Sequence, residues 1–436
     1  MSSYQRRLYP SHYMNQLQLF LPCAAGVEGL LAEEVHQITG LTGNDLLTGR
    51  GGVLLRASWR NALLLNLHSR LAQRVLVQLA HQPYRSEKDL YEIASTVAWE
   101  IWFTTRQTFK VEVTAQHSPL TSLNFAGLRV KDAVADRFRA KSGVRPDVNT
   151  QWPDVRVHLH LTTEYATVYI DTSGEPLFKR GWREDKGDAP LKETLAAAMI
   201  AASGWNPLGD VPLPLYDPCC GSGTIAIEAA QMACRIAPGM LRRFAFEKLL
   251  PFQAHVWDAI KREAANVEQV SPTAIFGSDV SHRMVDFAQR NAERAGVADA
   301  IQWRGGDALQ RMPPCDLPGI MLLNPPYGER IAAAGTAGQN AAERAADRGR
   351  GHAVGREAAH TEDGGEFFSQ LAAHWKKNYT GWQAWMLTPD LKLPSKMRLK
   401  ESRRVPMWNG PIECRLFRFD LVQGSARGRR GDADAG

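Results

Sequence analysis

Leu215-Tyr216-Asp217-Pro218-Cys219-Cys220-Gly221-Ser222-Gly223-Thr224-Ile225-Ala226-Ile227-Glu228-Ala229-Ala230 decides the fold. An apolar approach, Val211 to Tyr216, ends in an acid, a glycine-bearing turn follows, and small apolar residues then recur at helical spacing. That order reads as strand, loop, helix. Glycines 221 and 223 allow a tight turn and a close backbone approach to a ligand, and the free N–H groups of a helix start favour negative charge. No G-K-[ST] follows Gly223, so the turn is not a phosphate loop. A second strand runs into a polar corner at Ile320-Met321-Leu322-Leu323-Asn324-Pro325-Pro326-Tyr327-Gly328. Its prolines fix φ and remove two backbone donors. An Asn amide oxygen and a proline carbonyl held there can both accept from one exocyclic NH2, while Tyr327 stacks on the ring that carries it. The plainer reading of either stretch alone is a tight turn with packed side chains.

Together, D-P-C-C-G-S-G-T and N-P-P-Y resemble motifs I and IV of the Rossmann-like S-adenosylmethionine-dependent methyltransferases that modify amino nitrogens. The nearest resemblance is to the THUMP-containing RNA guanine-N2 methyltransferases, above all the N-terminal methylase module of the bacterial 23S ribosomal RNA enzymes. This implies an α/β chain in which a Rossmann-like class I methyltransferase domain follows an α+β THUMP domain with a small ferredoxin-like N-terminal part. It implies S-adenosyl-L-methionine as cofactor, held by Asp217, Cys219, Gly221, Ser222, Gly223, Thr224, Asp279, Val280, Asp307 and Asn324, with Thr194 of the A-P-L-K-E-T helix beside them. Asp279 would take the ribose hydroxyls, as the acid after the second strand does in dinucleotide folds. Asp307 would take the adenine amino group. The catalytic corner would be Asn324, Pro325, Pro326 and Tyr327. The interval from the glycine turn to Asp279 exceeds the usual spacing of about 20 residues. The surplus, Arg235 to Glu247 and a helix around Trp257, resembles an insertion of that methylase module.

The chain has 436 residues, 44% hydrophobic and 22% charged, enough for two or three domains with a sizeable core. A net charge of +6 favours an acidic partner such as nucleic acid. Six cysteines form no C-x-x-C pair, and adjacent Cys219 and Cys220 cannot share a zinc ion, so no metal site and reduced thiols in a cytoplasmic protein are expected. The apolar run from Leu17 to Ala25 is too short and too interrupted for a signal peptide. No stretch of about 18 apolar residues occurs, so no membrane span is expected.

In chain order, residues 1–15 read as a flexible start and 16–59 as a small α/β part with strands at Leu17 to Leu21 and Gly52 to Arg56 around a helix from Val27. Residues 60–172 resemble the THUMP domain, most specifically in L-R-V-K-D-A-V-A-D-R-F-R. Within them, apolar positions from Asn61 to Gln78 fall near one helical face, Phe109 to Val113 alternates as a strand, Leu123 to Arg139 is helical, and strands close the block at 155–161 and 166–171. The resemblance implies RNA contacts by Arg129, Lys131, Arg139, Lys141 and Arg145; the plainer reading of that helix is a solvated face. A linker at 173–188 precedes the methyltransferase domain at 189–423. Residues 332–365, rich in Ala, Gly, Arg and Glu without apolar period, read as a disordered insertion, and 424–436 as a flexible tail. The expected partner is RNA, either 23S ribosomal RNA or its assembly intermediate. Transfer RNA is the alternative substrate, and a non-catalytic ribosome assembly factor the alternative of a different class. The same corner also serves adenine-N6 and glutamine-amide methylation, against which the THUMP-like block argues.

Overall fold

The structure, a computed structural model, describes residues 16–187, 190–325 and 364–422. The expected flexible ends, residues 332–363 of the expected insertion, and Pro326 and Tyr327 lie outside the described residues. The chain divides into two compact units, the first running to Gly181 and including Ile236–Glu268, the second comprising Trp182–Arg235 and the chain from Gln269 onward.

In the first unit, strands β1 (Leu17–Pro22), β2 (Leu46–Gly49), β3 (Gly52–Ala57), β4 (Leu76–Pro83), β5 (Phe109–Ala115), β6 (Val155–Leu161) and β7 (Tyr165–Asp171) form one sheet in the order β2-β3-β1-β4-β7-β6-β5. The segments expected as separate, 16–59 and 60–172, therefore share a sheet. Alternating burial along β1 and β6 follows from their alternating apolar residues, as a sheet with one face on a core requires. Helices α1 (Glu28–Thr39), α2 (Trp59–His68), α3 (Glu87–Thr96) and α4 (Leu123–Ser142) complete this part. Helix α4 starts where Ser122 Oγ accepts from the Phe125 N–H at 3.2 Å and stops at Gly143 in the left-handed region.

The single helical face read across 61–78 is a correction. Helix α2 ends at His68, because the Glu34 carboxylate accepts from Ser69 Oγ (2.7 Å) and the Arg70 N–H (2.8 Å) and draws the backbone out of the helix. The apolar residues beyond it enter strand β4. Helix α3, with a capping box between Ser86 and Asp89, was not anticipated. The segment 236–268 belongs to this first unit: Phe244, Phe246 and Trp257 of helix α7 (Ala254–Ala265) pack together, and the Phe246 N–H donates to the Thr172 carbonyl at 2.9 Å.

The second unit contains α5 (Glu193–Ser203), β8 (Leu215–Asp217), α6 (Thr224–Ala233), β9 (Ile275–Asp279), α8 (His282–Arg294), β10 (Ile301–Gly305), β11 (Ile320–Leu323), α9 (Gly364–Asn378), β12 (Gln383–Thr388), α10 (Leu393–Met397), β13 (Arg403–Asn409) and β14 (Ile412–Asp420). Their sheet runs β10-β9-β8-β11-β12-β14-β13. The first five strands are parallel, and the β13/β14 hairpin is antiparallel. Parallel strands covered on both faces need continuous apolar runs, and Ile320–Leu323 is buried throughout. Tyr216, Met321, Trp375, Trp382 and Phe417 meet in its core. Strand β13 was not anticipated.

Candidate active site

Strand order reverses between β8 and β11, which lie side by side with Ile320 opposite Leu215 and Met321 opposite Tyr216. In open parallel sheets the crevice at the carboxyl ends of the strands flanking such a reversal receives the ligand. Both stretches singled out in the sequence leave the sheet there, from neighbouring strands.

The turn after β8 is built from its own acids. Asp217 is buried, and its Oδ1 accepts from the Cys219 N–H at 3.1 Å. Burial, with the charge of Asp279 nearby, pushes its carboxyl well above the ordinary carboxylate range. Asp279, at the end of β9, accepts from the Gly221 N–H through Oδ2 (2.9 Å) and from the Ser281 N–H through Oδ1 (2.9 Å). One carboxylate thus ties the turn after β8 to the start of α8. Val280 follows it, half-buried. The Gly306 N–H donates to the Asp279 carbonyl at 2.9 Å, bringing the end of β10 alongside. There Asp307 Oδ1 accepts from the Leu309 N–H (2.9 Å), and a surface cavity of about 440 Å³ opens beside it, lined by Arg304, Gly306, Gln310 and Arg311.

The two glycines serve different ends. At Gly221, with φ of 52°, a Cβ would project into open space. At Gly223, with φ of 90°, it would stand 2.9 Å from both Ala288 Cβ and a ring carbon of Trp303. Gly223 lets α6 pack on the rest of the unit, while Gly221 leaves room above the turn. Cys219 packs against the core around Tyr216, and burial pushes both vicinal thiols up, so neither is a ready thiolate.

Ser222 and Thr224 were expected on the cofactor side, and each hydroxyl accepts from Arg183, Ser222 Oγ at 2.8 Å and Thr224 Oγ1 at 2.7 Å, which leaves its own O–H to donate. The same guanidinium donates through Nε to Glu193 Oε1 at 2.8 Å. Glu193 opens α5 directly before the buried Thr194. Neither Arg183 nor Glu193 was singled out in the sequence. The only sequence signal was an arginine in the connector Gly181-Trp182-Arg183, far from the residues it meets.

At the second corner, Asn324 follows β11 and Pro325 is buried. Asn324 Oδ1 is buried and accepts no hydrogen bond from any described residue. A buried amide oxygen left unmatched costs about 1–3 kcal/mol, so this acceptor is available to a donor beyond the described residues. The structure thus brings Asp217, Asp279, Asp307, the glycine turn and Asn324 to one edge of the parallel sheet.

The expected RNA contacts lie in the first unit, and their charges are largely matched. Arg129 and Lys131 stand 4.0 and 2.8 Å from the Asp132 carboxylate, Arg139 3.8 Å from Asp136, and Lys141 3.9 Å from Glu100. Arg145 is exposed, with no acid at such distance among the described residues. No described helix is long and apolar enough to cross a membrane, and no group of three or more potential metal ligands occurs among the described residues.

Residues 180–343 match the family described as RMKL-like, methyltransferase domain; residues 84–171 match the THUMP domain and 18–76 the RlmL ferredoxin-like domain. Over 411 residues the chain is 34% identical to the ribosomal RNA large subunit methyltransferase K/L of Psychromonas ingrahamii, covering 93% of this chain and 50% of the relative. It is 35% identical over 413 residues to the protein of the same name from Shewanella amazonensis, covering 94% and 54%. The chain spans about half the length of the curated relatives it matches. Among solved structures, SMU.472, a methyltransferase candidate complexed with SAH, superposes with a TM-score of 0.79 at 25% identity, over 95% of this chain and all of that one. Sheet order, the paired corners and these matches define the second unit as a class I methyltransferase domain. Ahead of it the chain carries an RlmL ferredoxin-like domain and a THUMP domain.

Proposed function

We propose that this chain transfers a methyl group from S-adenosyl-L-methionine to the exocyclic N2 amine of a guanine in 23S ribosomal RNA. The observation that carries the reading is Asn324 Oδ1, a buried acceptor without a donor among the described residues, on the strand beside the glycine turn. The THUMP domain and the names of the half-length relatives favour RNA, and large-subunit ribosomal RNA in particular.

The residues present fit the cofactor. A Cβ-sized space is open at Gly221, Asp279 ends the strand after which an acid takes ribose hydroxyls in dinucleotide folds, and Asp307 borders a surface cavity where it would take the adenine amino group. When bound, the cofactor supplies a methyl group on a positively charged sulfur. Asp217, buried below the turn, is pulled toward its ionised form by any cation placed over it. The guanine N2 lone pair is delocalised into the ring and is a poor nucleophile. Asn324 Oδ1 and the Pro325 carbonyl would accept the two amino hydrogens and hold the nitrogen with its lone pair toward the incoming methyl group. Such positioning accelerates transfer without a prior deprotonation: the N–C bond would form as the S–C bond breaks, and the surplus proton of the methylated amine would then pass to solvent. To reach the corner the base must leave its stack.

The test is methyl transfer from labelled S-adenosylmethionine to separated pools of unmodified ribosomal and transfer RNA, followed by nucleoside analysis. N2-methylguanosine in the large-subunit RNA is expected. The same nucleoside in transfer RNA alone would keep the chemistry and move the substrate. No label in either pool, with cofactor binding intact, would overturn the reading.

A further inference from the structure

We infer that Arg183 is a positioning residue that sets the shape of the cofactor turn, and that the strap Trp182–Gly187 exists to hold it there. The inference rests on the proposed function for its cofactor and on geometry for everything else. Arg183 is mostly buried, at 13% side-chain exposure, and spends donors from all three guanidinium nitrogens: Nε on Glu193 Oε1 (2.8 Å), Nη1 on Ser222 Oγ (2.8 Å), and Nη2 on Thr224 Oγ1 (2.7 Å) and the Leu191 carbonyl (3.2 Å). Two of these acceptors flank Gly223, the residue that opens α6.

A cation at a helix N-terminus opposes the helix dipole, so Arg183 does not stand there for the helix's benefit. Its charge is balanced by Glu193, at 4% side-chain exposure, from the first turn of α5. The result is a rigid bridge between the helix before β8 and the turn after it. Lysine could not replace it, because one ammonium cannot reproduce the planar fork that reaches three side chains at once.

The strap is fastened from its other side by α8. Asn291 Nδ2 donates to the Ser222 carbonyl (3.0 Å) and the Asp185 carbonyl (2.8 Å), and its Oδ1 accepts from Arg294 (2.6 Å). Arg290 reaches Asp185 through Nε (3.1 Å) and Nη2 (2.8 Å), Arg294 reaches its other face (2.6 Å), and Arg294 Nε donates to the Trp182 carbonyl at 3.0 Å. Asp185 is held down to about 2 by these two arginines. Ser222 is thereby gripped twice, at its hydroxyl by Arg183 and at its carbonyl by Asn291. The backbone between the two glycines is fixed in advance, and a turn that is already shaped loses less entropy when a ligand arrives.

The test uses the intact chain with Arg183→Ala, Arg183→Lys, Ser222→Ala/Thr224→Val, and Arg183→Ala combined with the last pair. Calorimetric affinity for S-adenosylhomocysteine is measured alongside methylation kinetics with cofactor and RNA varied in turn. We expect about tenfold weaker S-adenosylhomocysteine binding and a matching rise in cofactor KM for each of the first three variants, with kcat and RNA KM within about twofold. The combined variant should fall no further than Arg183→Ala alone, because both changes sever the same bonds. Additive losses would overturn the inference, as would Arg183→Ala that lowers Tm while cofactor affinity stays unchanged. Should Arg183→Ala fail to fold, Arg183→Lys and the hydroxyl variant decide by the same measure. If the wild-type chain methylates no RNA, the proposed substrate falls, and Arg183 still stands or falls on the calorimetry.

Discussion

The turn after β8 and the corner after β11 leave neighbouring strands at the same edge of the sheet, yet they treat polar groups in opposite ways. In the turn, the Asp217 and Asp279 carboxylates and the Ser222 and Thr224 hydroxyls all have partners within the chain. At the corner, Asn324 Oδ1 has none among the described residues. A prepaired turn can bind without rearranging, whereas on the proposed reading the Asn324 acceptor gains its bond when the amine arrives. Affinity for the cofactor and rate of transfer should therefore separate by mutation.

The largest effect is expected at the corner. Asn324→Ala should lower kcat by about 10²- to 10³-fold, as loss of one preorganised polar group does elsewhere, with S-adenosylhomocysteine affinity kept within about twofold. A variant that turns over normally would erase the distinction. Next, Asp279→Ala should weaken cofactor binding by about 10- to 100-fold, since it removes a charged acceptor, and should leave kcat at saturating cofactor close to wild type. Equilibrium dialysis beside steady-state kinetics would show whether the losses divide this way.

Asp217 sharpens the contrast through stability. Its folded-state carboxyl titrates above the unfolded value of about 3.9, so the folded chain holds the proton more tightly. Burying it therefore costs stability progressively as the pH rises from about 4 through the folded pKa. Asp217→Asn keeps the Oδ1 acceptor for Cys219 and removes that cost. Its Tm without cofactor should exceed wild type by about 2–4 °C per kcal/mol near neutral pH. The difference should fade toward about pH 4 while cofactor affinity falls. A Tm increment independent of pH would contradict the assignment.

The smallest effect carries the same distinction into the first unit. Changing Arg145, which has no acid beside it among the described residues, to Ala should reduce the salt slope of RNA binding by about 1. Lys131→Ala, which also frees the Asp132 carboxylate, should change it less. Equal slopes would mean that ion pairing on α4 does not govern contact with phosphates.

The second unit's sheet was legible because parallel strands must be apolar throughout, and both corners announce themselves by Gly and Pro at strand ends. Asp217 and Asn324 could be named for that reason, while Asp279 was named as the acid after the next strand, with the role the resemblance implies. Arg183 could not, because its partners Ser222 and Thr224 lie 39 and 41 residues away and no periodicity links them. Strand β13 was hidden by Pro406, which suits only an edge strand, and β13 is one. The end of α2 was hidden because Glu34, far back in the chain, captures the backbone beyond it. Local pattern failed where distant side chains decide.

The assignment of Ile236–Glu268 to the first unit bears on how the chain is made. As it leaves a ribosome, the first unit cannot finish when Gly181 emerges. The Thr172, Leu67 and Trp102 carbonyls still await the N–H groups of Phe246, Gly239 and Leu250, all of which are synthesised later. By then the glycine turn and α6 have already been made, so the first unit closes only with part of the second in hand. Translation order thus has the first unit completed only after part of the second has been synthesised.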